Sequence, residues 1–184
     1  AYSEGIATYV HRWYSERYQV EKPAEETLTE HAPGARWLEA PYVLGPEYVQ
    51  HRVNRTDERR ALLSDRWPST AEQVLHPERG TEPPAPLTVQ PALVNRQGYA
   101  DYLPLRDPTR MGELAVRVAV WSRTNESVAA RAAADWGNDR FVTFQGPDGE
   151  GYAWVIRYDD PGAAREARAL WPTDRRNETR QFGE

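Results

Sequence analysis

Six prolines between positions 68 and 91 set the first limit on how this chain can fold. Proline cannot donate to a helix or a sheet ladder, so the stretch from Pro77 to Pro91 predicts an extended connector between two parts of the chain. Just upstream lies the block Trp67-Pro68-Ser69-Thr70-Ala71-Glu72-Gln73-Val74-Leu75-His76-Pro77. Its Ser69-x-x-Glu72 spacing reads as a capping box, so Ser69 is expected to cap a short helix carrying Glu72, Gln73 and Val74. Pro77 disfavours helical geometry in the residue before it, which ends that helix near His76. A histidine fixed at a helix end between two prolines is well placed to serve a site, and His76 is therefore a candidate catalytic residue.

On either side of the connector the patterning differs. Ile6, Tyr9, Val10, Trp13 and Tyr14 recur at helical spacing and predict a first helix over about Ser3 to Tyr18, with these side chains as its buried stripe. A polar loop is expected from about Val20 to Gly34, then helices near Glu47 to Val53 and Glu58 to Arg66. Downstream, Leu114, Val118 and Trp121 mark a helix within Met111 to Trp121, and Asn125 is placed to cap another through Ala134. Trp136-Gly137 would end that helix, with glycine in the left-handed conformation. Phe141 to Phe144 and Tyr152 to Tyr158 flank the turn-rich Gly146-Pro147-Asp148-Gly149-Glu150-Gly151 and predict a β-hairpin. Leu87-Thr88-Val89 reads as a short edge strand, and Asp160-Pro161 as the cap and first residue of a last helix to about Leu170. The expected fold class is α+β, with a mostly helical part at 1–80 and a helix and β-hairpin lobe at 81–184, separate from the first or continuous with it.

Composition removes several functions. Acidic residues outnumber basic ones 28 to 23, and the two are interspersed, so no basic stripe with interleaved aromatics is present and nucleic-acid binding is disfavoured. There is no cysteine, which excludes disulfides and thiolate metal sites. No apolar run reaches the length of a membrane span and no signal peptide opens the sequence. The sequence starts inside what reads as a helix, so the chain is expected to be a fragment of a longer polypeptide. The triplets at Asn54, Asn125 and Asn177 fit the N-x-S/T pattern of glycan acceptors in a secreted protein, with chance occurrence as the competing explanation.

The four histidines, at 11, 31, 51 and 76, show no H-E-x-x-H or H-x-H spacing. Nor is there a G-x-S-x-G elbow or a glycine-rich phosphate cradle. For any one of these histidines, the competing reading is a solvated or structurally hydrogen-bonded side chain. Glu4, likewise, reads on its own as an acid favoured by the dipole of a helix first turn.

Four segments nevertheless carry a resemblance: Glu4-Gly5-Ile6-Ala7-Thr8-Tyr9-Val10, the Pro68 to Pro77 block, Met111-Gly112-Glu113-Leu114, and Ala132-Ala133-Ala134-Asp135-Trp136-Gly137-Asn138-Asp139-Arg140. In this order they resemble an uncharacterised family of secreted or membrane-anchored proteins of halophilic archaea and some bacteria, itself similar to gluzincin metallopeptidases. In gluzincins two histidines of an H-E-x-x-H helix and a glutamate of the next helix bind zinc, and the intervening glutamate is the general base. The resemblance implies that Glu4 stands where that carboxylate ligand stands, and that His76 lines the cleft. The chain departs from the pattern by having no H-E-x-x-H, and one carboxylate cannot supply the three protein ligands of a catalytic zinc. Two expectations follow. The first is the C-terminal portion of a secreted or surface-anchored metallopeptidase-like protein, inactive alone. It would have no cofactor in this chain, zinc in a longer parent, an upstream segment of the same protein as partner and a peptide as substrate. The second is a non-enzymatic cell-surface scaffold or adhesion protein reusing the fold. Both imply an extracellular location.

Overall fold

A computed structural model describes residues 2–21, 32–56, 67–79, 82–89, 103–104, 107–146 and 149–171. The expected helix at Glu58 to Arg66, His31, Asn177 and the tail lie outside the described residues.

Helix α1 runs Tyr2–Tyr18 with Glu4 in its first turn. It closes through a left-handed residue: Gln19 has φ 53°, and the Val20 amide donates back to the Ser15 carbonyl at 3.2 Å, the hydrogen bond of a Schellman ending. Helix α2, Pro33–Thr56, is far longer than expected, because it passes through Pro41 and Pro46. Each proline removes one helical hydrogen bond and crowds the carbonyl four residues back, a cost of about 3 kcal/mol in a helix interior. Burial offsets it here: Ala40, Tyr48 and Val49 are all in the core, and Ile6, Tyr9, Val53 and Val74 pack around the last two. A β-carbon added to Gly5 would lie 2.7 Å from backbone atoms of Gly45, so α1 and α2 meet backbone to backbone there.

The expected stripe of α1 is only half buried. Ile6 and Tyr9 pack inward, whereas Val10, Trp13 and Tyr14 are exposed. Glycine-to-glycine contact is the reason: it fixes the face through Gly5, Ile6 and Tyr9 against α2 and turns the next residues outward.

The short helix α3, Ala71–Leu75, leads through His76 into a 3-10 turn at Pro77–Arg79. Residues 82–89 follow in neither helix nor strand, so Leu87 to Val89 form no edge strand. The edge strand is instead β1, Leu103–Pro104. Helices α4, Glu113–Trp121, and α5, Glu126–Ala133, precede a long hairpin of β2, Trp136–Gly146, and β3, Gly149–Tyr158. Helix α6, Pro161–Leu170, closes the described chain and is capped by Asp160, as its sequence indicates. The sheet is antiparallel in the order β1-β2-β3, running from Trp136 opposite Tyr158 to Gly146 opposite Gly149. Val116 of α4, Ala133 of α5 and fully buried Trp136 of β2 form one core cluster, with Trp154, Ile156 and Trp171 against them. This is an α+β fold with its strands in the second half.

Gly137 does not end a helix. It belongs to β2, at the irregularity between Trp136 and Asn138, and the left-handed residue is Asp135, with φ 58°.

Candidate functional site

The segments Pro68 to Pro77, Met111 to Leu114 and Ala132 to Arg140 meet at one junction. It starts at the cap of α3, which lies one residue later than the spacing suggested. Thr70, not Ser69, is the N-cap, its hydroxyl accepting from the Gln73 amide at 3.3 Å. The Gln73 side chain answers by accepting from the Ser69 amide at 2.7 Å, and its Nε2 donates to the Glu82 carbonyl at 2.8 Å. One buried glutamine therefore ties the start of α3 to the proline-rich segment. Glu72 is thereby freed from any capping role.

At the other end of α3, the His76 amide closes the last turn onto the Glu72 carbonyl at 2.8 Å. Its imidazole is then held across to the second lobe. Nε2 lies 2.9 Å from Glu113 Oε1, and Nδ1 lies 3.7 Å from Glu78. The Glu113 side chain is 3% exposed and that of His76 26%. The Glu113 hydrogen bond, against a smaller opposing effect of burial, holds the His76 pKa above its ordinary value. Glu113 sits in the first turn of α4, where helix polarity favours an anion. Its second oxygen, Oε2, is buried with no hydrogen-bond partner among the described residues.

Asp139 of β2 holds that helix start in place. Fully buried, it accepts from the Met111 amide at 2.7 Å, the Gly112 amide at 2.6 Å and the Trp136 indole at 3.1 Å. Gly112, the residue before α4, has φ 84°, a left-handed conformation that glycine adopts freely. The neighbouring Asn138 donates to the Ala85 carbonyl at 2.5 Å and accepts from Arg110 at 3.0 Å, so the connector is pinned to the same strand.

In front of this junction lies a cleft of about 330 Å³. Glu72, Arg79, Glu82 and Asp159 give it charge, and Pro83, Pro84 and Gly137 shape its wall. Arg79 reaches Glu72 at 3.6 Å and Asp135 at 3.7 Å. Burial, then the charges of Glu113 and Asp159, raises the Glu72 pKa. Burial and Asp135 do the same for Asp159. Tyr158, beneath the helices, is also pushed up, chiefly by burial, and donates to the Ala132 carbonyl at 2.9 Å.

Glu4 lies elsewhere, on the first turn of α1, accepting from the Ser3 hydroxyl at 2.9 Å. The polar partners of His76 are Glu113 and Glu78, so the two residues singled out by sequence are not joined directly. Among the described residues no three His, Cys, Asp or Glu side chains are grouped to hold a metal ion. Asn54 and Asn125 are both exposed; Asn54 accepts from Gln50 at 2.7 Å, and Asn125 caps α5 by accepting from the Val128 amide at 3.0 Å. Among the described residues no helix is long and apolar enough to cross a membrane.

Glu113 and Asp139 lie within Met111 to Leu114 and Ala132 to Arg140, two of the segments that carry the resemblance, but nothing in the sequence gives either a role. Asp139 stands in the polar run Asn138-Asp139-Arg140, where nothing local marks it as buried. Arg79 and Asp159 carried no signal either.

Residues 103–181 match a family described as a domain of unknown function (DUF8575). The match takes in the second lobe, from the edge strand to beyond α6. No curated protein and no solved structure matches the chain.

Proposed function

We propose that this chain is the C-terminal portion of a secreted or surface-anchored metallopeptidase-like protein, inactive by itself, in which α1 contributes one zinc-ligand carboxylate, Glu4. The observation that carries the proposal is the backbone contact between Gly5 and Gly45. Glu4 is the residue before that contact, so its helix turn is anchored against α2 while its side chain stays partly open to solvent. A ligand lent to a metal held chiefly by another segment needs this kind of fixed backbone. The remaining ligands and the general base would come from an upstream segment, and peptides would be the substrate class. His76 acts as a positioning residue in this scheme, because Glu113 engages its imidazole.

A non-enzymatic surface scaffold is the second reading. It is favoured by the use of His76, Glu113 and Asp139 to join structural elements rather than to line an open catalytic cleft.

Metal analysis separates them. Zinc should be absent from this chain alone and stoichiometric in a longer natural polypeptide that contains it. Glu4→Gln should abolish zinc in the longer form without changing its far-UV circular dichroism. Zinc in neither form, or zinc retained by Glu4→Gln, would overturn the ligand role and leave the scaffold.

A further inference from the structure

Beyond the Gly5–Gly45 contact, α1 and the second half of α2 enclose a groove of about 470 Å³, separate from the junction around His76. We propose that this groove is a binding site for a neutral saccharide. Its α1 wall is Tyr9, Arg12, Trp13 and Glu16, which share one helix face through their spacing of three and four residues. Trp13, which lines the groove, is 38% exposed. A sugar ring presents one face of C–H groups that stack on an aromatic plane, and an edge of hydroxyls that both donate and accept.

The α2 wall supplies matching groups. Gln50 and Asn54 share one bond, Gln50 Nε2 donating to Asn54 Oδ1 at 2.7 Å. This leaves the Gln50 carbonyl oxygen to accept and the Asn54 amide nitrogen to donate; Glu47 and His51 stand beside them. His51 Nε2 is buried with no hydrogen-bond partner among the described residues. Arg12 offsets part of the charge of Glu16 and Glu47, so the groove demands neither a strong anion nor a strong cation. Both walls are helices and offer no open strand edge, which disfavours an extended peptide. The volume falls within the range of small-molecule sites.

An independent observation points to the same chemistry. Asn54, on the rim, is the acceptor of the Asn54-Arg55-Thr56 triplet and lies in the last turn of α2. A glycan there would leave the chain at the mouth of the groove. The saccharide can therefore be a free or partner-borne sugar, or the chain's own glycan on Asn54.

The test uses this chain from a bacterial host, with Asn54 unmodified, titrated with methyl glucoside, methyl mannoside, methyl galactoside and N-acetylglucosamine. The readout is the Trp13 indole resonance, assigned by its loss in Trp13→Phe. Saturable binding with a Kd on the order of 1 mM is expected for at least one sugar. Trp13→Ala and Gln50→Ala should each weaken it about tenfold, while Trp67→Ala, at an exposed ring outside the groove, should leave it unchanged. Gln50 is exposed, so its variant still reports if Trp13→Ala fails to fold. That result assigns the site to an external sugar. If none of the sugars binds, glycopeptide mapping of protein from the native host decides. A glycan on Asn54 that shifts the Trp13 resonance relative to Asn54→Gln assigns the groove to the chain's own sugar. The proposal is overturned by an unmodified Asn54, or a glycan that leaves Trp13 unmoved, together with no binding up to about 50 mM. Binding that survives both groove substitutions undiminished overturns it as well.

Discussion

His76 and Glu113 place an imidazole against a carboxylate that is almost wholly out of water. Because the folded pKa of His76 lies above its ordinary value, protonation and folding support each other. The stabilisation is complete below the unfolded histidine value of about 6.5 and is lost as pH rises through the raised folded value. The urea midpoint should therefore fall between pH 6 and pH 9, and the fall should be much smaller in His76→Gln. That variant should cost about 2 kcal/mol at pH 6 and less at pH 9, where the neutral imidazole keeps a hydrogen bond but no charge. A midpoint with the same pH dependence in both proteins would remove the ion pair from the account. Asp139 differs in kind, because it serves three donors at once and two are the amides that start α4. Asp139→Ala leaves them without an acceptor, at a cost of about 4 kcal/mol in chemical denaturation. Asp139→Asn should also destabilise, since one carboxylate oxygen becomes an NH₂ that faces donors.

Among the elements, α1 packs on α2 through Ile6 and Tyr9 and meets its backbone at Gly5. Gly5→Ala would set a methyl 2.7 Å from Gly45 backbone, where no side chain can swing aside. The helices must separate, at a cost of about 1–3 kcal/mol. Gly34 is the control: it is helical and has nothing within 4 Å of an added β-carbon, so Gly34→Ala should be neutral or stabilise by up to about 1 kcal/mol. Equal thermal shifts for both variants would remove the close contact from the explanation. Local chemistry made α6 legible in the sequence, since Asp160 accepts from the Gly162 and Ala163 amides and Pro161 starts the helix. The hairpin and the Asn125 cap were legible for the same reason. Helix α2 was not, because its prolines argue locally for a break and only burial of Tyr48 and Val49 against α1 keeps it whole. The exposure of Val10 and Tyr14 was hidden likewise, since helical spacing gives a face but not its partner. Within the site, His76 stood out through Pro77, whereas Glu113, Asp139 and Arg79 acquire roles only through contacts across the fold.

For the whole molecule, stability hinges on how the helical first half holds the α/β lobe. Helices α2 and α3 pack directly against α4, and the polar links beside that packing are chemically distinct. His76 pairs with Glu113, the Arg36 guanidinium lies 3.8 Å from the centre of the Trp121 ring, and the connector hydrogen-bonds to β2 and β3 through Asn138 and Arg157. The two halves also keep separate cores, one around Tyr48 and Val49 and others around Val120 and Trp136. Separate cores joined by one helix packing surface and these polar links unfold together only while those contacts hold. At pH 6, far-UV circular dichroism, weighted toward the helices, and near-UV signal, weighted toward the tryptophans, should give coincident urea transitions. Weakening the junction by His76→Gln with Arg36→Ala should separate the two midpoints, and by nearly the same amount at pH 6 and pH 9, because the imidazole that titrates between them is gone. Arg36 sits on the side of α2 away from the Gly5 contact, so its loss should leave α1 seated and the helical core intact. Coincident transitions in the double variant at both pH values would show instead that the packing of α2 and α3 on α4, with the connector's hydrogen bonds, suffices to make the halves one cooperative unit.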